Sequence, residues 1–193
     1  MGRWEPGAEG RLRDAAMQLY IEHGFDQTTV ADIAERAGVT GRTFFRYFAD
    51  KREVLFAGAA ELERRVIDAL ETAPRAVAPL DAVAIAIGAV GDMIGAHREF
   101  SRQRQAVIEA TPELQERELI KLAALSVALA DGLRRRGLST TEAKLVAETG
   151  VAVFRAAFEQ WLTASRDRGL ARVIRESFAR LRALAASSSG SVS

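Results

Sequence analysis

Apolar residues recur at intervals of three and four along almost the whole chain, and no stretch alternates with the period of two that a half-buried strand requires. The pattern predicts an all-α protein. Leu12, Ala15, Ala16 and Leu19 form the inner stripe of a first helix from about Arg11 to His23, which Gly24 ends. Thr29 is placed to cap a second helix, Val30 to about Ala37, with Asp32 completing a capping box. Gly38 supplies a turn, and Thr40 caps a third helix that reaches Tyr47. Asp50, with Glu53 closing another box, opens a fourth helix to about Leu70. Two prolines between Thr72 and Pro79 then break the pattern. Further helices are expected at about Leu80 to His97, Phe100 to Ala110, Pro112 to Arg136, Glu142 to Arg168 (with Ser139 as its cap) and Ala171 to Ala186.

This order predicts four regions. Residues 1–10 form a flexible arm and 11–50 a compact three-helix unit. Residues 51–186 form a larger helical domain, with the helix over 51–70 as connector. Residues 187–193, rich in serine, form a disordered tail. A length of 193 residues is enough to bury a substantial core.

Composition then removes several function classes. There is no cysteine, which excludes disulfides, thiolate metal sites and a cysteine nucleophile. The two histidines, His23 and His97, both fall near helix ends, and neither has a second ligand at metal-binding spacing. Gly88, Gly91 and Gly95 lie inside a helical pattern with no preceding strand, so they are not a phosphate loop. They favour close helix packing or room for a ligand. No enzyme, metal or cofactor is expected. The N-terminus lacks the apolar core of a signal peptide. The apolar run from Leu80 to Ala96 is interrupted by Asp81 and Asp92 and is short for a bilayer, so a cytoplasmic protein without a membrane partner is expected.

Net charge is +1 and tells little, but its placement tells more. Between Arg36 and Arg52 five basic residues (Arg36, Arg42, Arg46, Lys51, Arg52) face one acid, Asp50. Three short helices, a glycine turn and a basic third helix meet the requirements of a helix-turn-helix that places its third helix in the major groove of DNA. Phe44 and Phe48 are four apart and should point inward, which leaves Gly41, Arg42, Phe45 and Arg46 outward. Arginine offers paired donors to guanine edges. Thr43, Tyr47 and Lys51 are placed to hold phosphate oxygens, and Thr29, at a helix N-terminus, to hold another. A helical interaction protein without specific DNA binding is the competing reading.

The stretch from Phe25 to Lys51, FDQTTVADIAERAGVTGRTFFRYFADK, resembles the DNA-binding signature of the tetracycline-repressor (TetR) family, and the resemblance extends over about Arg11 to Leu55. It implies base readout by Thr40, Gly41, Arg42 and Arg46. Many members carry tyrosine where this chain has Phe45, so a phosphate contact through that hydroxyl is absent here. The resemblance further implies a C-terminal helical domain that binds a small-molecule effector, and a homodimer formed through the last two helices that engages double-stranded DNA at a palindromic operator. Repression relieved by an effector is the behaviour it implies.

A looser similarity, carried by Phe100 to Arg104, Ala110 to Leu114 and Arg42 to Arg46, is to regulators of the mycofactocin-regulator type, several of which respond to fatty acyl-CoA. It implies an apolar tunnel with basic groups at its mouth. Met93, Phe100, Arg104, Val107, Phe154, Phe158 and Trp161 are the candidate pocket residues, with Arg98 and Arg102 as further candidates for the phosphates. Ordinary core packing and a solvated basic face are the competing readings for each.

Overall fold

The computed structural model describes residues 7–189. Among the described residues there is no strand. The helices are α1 (Ala8–His23), α2 (Val30–Arg36), α3 (Gly41–Tyr47), α4 (Ala59–Thr72), α5 (Pro79–Gly95), α6 (Arg98–Glu109), α7 (Pro112–Arg135), α8 (Thr140–Thr163) and α9 (Leu170–Ser189), with a short 3₁₀ turn at Glu53–Phe56. The chain separates into two compact units. One comprises the N-terminal residues through Ala59 together with Glu99–Leu119, and the other comprises Ala60–Arg98 and the residues from Ile120 onward.

In the first unit, α1 buries Leu12, Ala15, Ala16, Leu19 and Tyr20. It ends at Gly24, whose φ of 82° suits a residue without a Cβ. The expected capping box at Thr29 and Asp32 is present, and Gly38 turns the chain at φ 66°. Ile33, Phe44, Phe48 and Leu55 close the core from the following elements, and Val107, Ile108 and Leu114 of α6 and α7 complete it. That last contribution comes from far along the chain, where local periodicity gives no sign of it.

Several boundaries differ from expectation. Helix α1 starts at Ala8, inside the stretch expected as an arm, because Gly7 can leave the helix and Glu9 sits favourably at the positive end of the dipole; residues 1–6 lie outside the described residues. Helix α9 continues to Ser189, past the expected start of the tail, on an alanine-rich run that favours helix; residues 190–193 lie outside the described residues. The expected continuous helix over 51–70 is broken. A 3₁₀ turn at Glu53–Phe56, with Val54, Leu55 and Phe56 all buried, takes the place of its first part, and Gly58, at a φ of 82° that no regular helix contains, interrupts the chain before α4.

In the second unit α9 packs against α5 and α8. Val83, Ile87, Leu129, Ala147, Trp161, Ile174 and Phe178 lie at its core. Two glycines permit the close approaches. A Cβ on Gly91 would stand 2.7 Å from the Ala171 Cα, and one on Gly150 would stand 2.4 Å from Val83 Cγ1. Gly88, on the same helix as Gly91, has nothing within 4 Å of that position.

Helix α8 stops at Thr163, short of the expected Arg168. The Arg98 guanidinium takes its terminal carbonyls, donating to Trp161 O (2.8 Å), Leu162 O (3.3 Å) and Ala164 O. Asp167 accepts from Trp161 Nε1 at 2.9 Å and from the Gly169 amide at 2.8 Å, which fixes the following loop. Arg136 does the same for the end of α4, donating to Leu70 O and Ala73 O at 3.0 and 2.8 Å. Among the described residues no single helix is long and apolar enough to cross a membrane, and no group of three or more acidic, histidine or cysteine side chains is placed to hold a metal.

Candidate nucleic-acid interface

Helix α3 is short, and its sequence fixes which side faces out. The Thr40 hydroxyl accepts from the Thr43 amide at 3.2 Å and caps the N-terminus. Phe44 is fully buried and Phe48 nearly so, four residues apart, and they anchor one side in the core. Arg42, Phe45, Arg46 and Tyr47 are therefore exposed. Phe45 is 61% exposed, yet its ring meets Phe44 edge-on, with centroids 5.4 Å apart at 81°. The Arg46 guanidinium lies 4.9 Å over the Tyr47 ring and donates to its hydroxyl at 3.2 Å. Gly41 has no atom within 4 Å of a would-be Cβ, so nothing inside the protein requires glycine there. The position leaves the backbone open to a close approach from outside.

The five basic residues of the segment separate into two groups. Arg36 is paired with Glu22 at 3.0 Å. Arg52 donates to both Asp50 and Glu113, at 2.6 and 2.8 Å. Lys51 turns inward: its ammonium donates to the carbonyls of Phe25 (2.8 Å), Asp26 (3.4 Å) and Thr28 (2.9 Å) and sits 4.2 Å over the Phe25 ring. An ammonium has three hydrogens, and three carbonyls receive them. Arg42 and Arg46 remain on the outer face of α3 with their guanidinium groups directed to no carboxylate among the described residues.

Thr29 is also engaged internally. Its amide and its hydroxyl both donate to Asp32 Oδ2, at 2.8 and 2.7 Å, while the Asp32 amide returns to Thr29 Oγ1 at 3.2 Å. These bonds hold the Asp32 carboxyl below its usual pKa. The Thr43 hydroxyl shares a hydrogen bond with Thr40 at 3.1 Å. Of the nine positions expected to face DNA, Arg42, Phe45, Arg46 and Tyr47 are exposed on α3, Thr29 and Thr40 are exposed while capping α2 and α3, Gly41 and Thr43 are partly exposed, and the Lys51 ammonium is turned to three backbone carbonyls.

The segment that leaves α3 is held by a polar cluster of which only the Asp50 cap was expected. The Tyr20 hydroxyl donates to the Lys51 carbonyl at 2.6 Å, and burial, with Asp50 nearby, pushes its pKa up. Asp50 Oδ1 accepts from the amides of Arg52 and Glu53, and its pKa is lowered chiefly by the Arg52 side chain. The Glu53 carboxylate, expected to close a box, takes Arg117 Nε at 2.6 Å. Arg104 donates to the Leu55 carbonyl at 2.7 Å and to Glu118 at 3.1 Å, and lies 5.0 Å over the Phe56 ring. Partners separated by 49 to 64 residues leave no local signature.

The candidate pocket residues divide between the two units. Phe100 and Val107 pack with the first core, and Arg104 belongs to the polar cluster just described. Phe154, Phe158 and Trp161 form an aromatic run in the second unit, with successive centroids 5.9 and 5.7 Å apart, and Met93 is exposed there. Arg98 is committed to the end of α8. Arg102 is exposed, 3.9 Å from Glu99.

Residues 12–57 match the family model of bacterial regulatory proteins of the tetR family, and residues 77–186 match that of the MftR C-terminal domain. The chain is 30% identical over 165 residues to the putative mycofactocin biosynthesis transcriptional regulator MftR of Mycobacterium tuberculosis, spanning 84% of this chain and 83% of that one. It is 34% identical over 105 residues to the HTH-type transcriptional regulator TcmR of Streptomyces glaucescens, spanning 51% of this chain and 46% of TcmR. Among solved structures, the TetR transcriptional regulator of Nitrosomonas europaea aligns over 94% of this chain and 99% of its own, with a TM-score of 0.60 and 18% identity. FadR of Bacillus subtilis, in complex with stearoyl-CoA, aligns over 88% and 95%, with a TM-score of 0.55 and 21% identity. At these identities the two structures show the shared fold.

Proposed function

The chain belongs to the tetR family of DNA-binding transcriptional regulators, and we propose that it is a repressor whose hold on a palindromic operator is released by an apolar small molecule. The helix-turn-helix of residues 11–50 is the reading unit and residues 51–186 carry the effector and the dimer contact. The observation that carries this reading is the composition of the outer face of α3: two arginines, Arg42 and Arg46, stand there with no carboxylate partner among the described residues, while Arg36 and Arg52 are both paired. Arg42 and Arg46 donate to guanine edges, and Tyr47 and the backbone at Gly41 approach the sugar-phosphate chain.

Two copies are needed to read a palindrome, with their recognition helices about one helical turn of DNA apart. Pairing through α8 and α9 is supported by Leu145, 61% exposed, by Ala152 and Ala156 farther along α8, and by Ala179 and Ala183 on α9, all exposed and small or apolar. The effector class proposed is a fatty acyl-CoA. It is supported by the match to the MftR C-terminal domain and by the aromatic run Phe154, Phe158 and Trp161, with stearoyl-CoA in the FadR fold neighbour as the precedent. The ligand acts by binding one conformer better than the other, so its differential affinity sets the release.

The test is a titration of fluorescent operator DNA with the full-length chain, with and without stearoyl-CoA and with free CoA as control. The acyl-CoA is expected to weaken operator binding, and the operator to weaken acyl-CoA binding by the same factor. Simultaneous binding of both without mutual penalty would overturn the proposal.

A further inference from the structure

Phe45 is the largest apolar side chain on the exposed face of α3. It lies beside Arg42 and Arg46, and the edge-on contact with buried Phe44 holds its ring. Its exposure leaves most of an aromatic ring in water in the free protein, which is unfavourable unless a partner covers it. It has no polar atom, so it offers phosphate neither a donor nor a charge. In the major groove the apolar group available to such a ring is the 5-methyl group of a pyrimidine. We infer that Phe45 is a specificity-determining residue that recognises a pyrimidine 5-methyl group, carried by thymine or by 5-methylcytosine, next to the bases read by Arg42 and Arg46.

The inference rests on the proposed reading face of α3, and its test separates the two. An operator is first selected from random duplexes with the full-length chain. Each thymine of a half-site is then replaced in turn by deoxyuridine, which removes only the methyl group. At one position per half-site the wild type is expected to lose about fourfold in affinity, the value of one buried methyl-sized group. Phe45→Ala is expected to bind the thymine operator about fourfold more weakly and to make no distinction between thymine and deoxyuridine there. Because Phe45 is exposed, this variant should keep the wild-type melting curve. Phe45→Leu, still apolar, is expected to retain part of the preference. Replacing the same pair by 5-methylcytosine–guanine and by cytosine–guanine identifies the source: restored affinity for the methylated pair alone shows that the methyl group is read whichever base carries it, and restoration by neither shows that thymine is the base read. If deoxyuridine is tolerated at every thymine while Arg42→Ala and Arg46→Ala each still lose discrimination at one base pair per half-site, the Phe45 inference is wrong and the reading face stands. If no duplex is selected over random DNA, the reading face itself falls.

Discussion

The Lys51 ammonium lies 2.8 Å from the Phe25 carbonyl and 4.2 Å above the Phe25 ring, so a residue that the sequence assigns to the DNA backbone instead ties the loop before α2 to the segment after α3. The consequence is measurable. Lys51→Met is expected to destabilise the protein by about 1–3 kcal/mol, the range for losing hydrogen bonds from a charged group. Chemical denaturation reads this directly. If Lys51 makes no phosphate contact, the slope of log affinity against log salt should stay that of the wild type; a slope reduced by about one unit would identify a phosphate contact.

Arg104 and Glu118 make a second pair with a definite expectation. Their side chains are 20% and 25% exposed, and Arg104 also holds the Leu55 carbonyl. Removing one member leaves the other partly buried and unpaired. Arg104→Met is expected to cost about 2–4 kcal/mol, discounted from a fully buried pair for the remaining solvent contact. Arg104→Met combined with Glu118→Leu should recover part of that loss in a double-mutant cycle by urea unfolding.

How much of this was legible in advance differs by element. The capping box at Thr29, the helix opening at Ser139, the inward Phe44 and the outward Arg42 and Arg46 follow from residues within one or two turns of each other, and the structure has them as expected. What the sequence hid lies in partners far apart along the chain. Nothing near Lys51 signals that the carbonyls of Phe25, Asp26 and Thr28 surround it, and nothing near Arg98 signals that it ends α8. Basic residues advertise charge in a sequence but not the acceptor that takes it. Likewise nothing local signals that Val54, Leu55 and Phe56 are all buried.

The glycines of α5 give a matched pair. Gly91→Ala places its methyl against the backbone of Ala171, which cannot yield, and is expected to destabilise by about 1–3 kcal/mol. Gly88→Ala meets open space and is expected to stabilise by up to about 1 kcal/mol through helix propensity. Equal effects from the two changes, measured by urea unfolding, would contradict the close approach of α5 and α9.

Acid should weaken the junction after α3. Asp50 has its pKa lowered from 3.8, first by the hydrogen bond from Arg52. A carboxyl lowered in the folded state contributes stability above its unfolded pKa and loses it as pH falls through the folded value. The wild type is therefore expected to lose stability below about pH 4 more steeply than Asp50→Asn, with urea midpoints across pH 2–6 as the readout. Parallel curves would remove Asp50 from the account.

The central claim is that the outer face of α3 reads bases through Arg42 and Arg46. The most direct measurement is the affinity of wild type and Arg42→Ala for a selected operator and for a set of its single-base-pair variants at fixed salt. Arg42→Ala should lose about 1–3 kcal/mol on the operator and should cease to discriminate at one base pair per half-site while discriminating normally elsewhere. A uniform loss across all the variants, with discrimination intact at every position, would show that Arg42 grips the backbone and would contradict the claim.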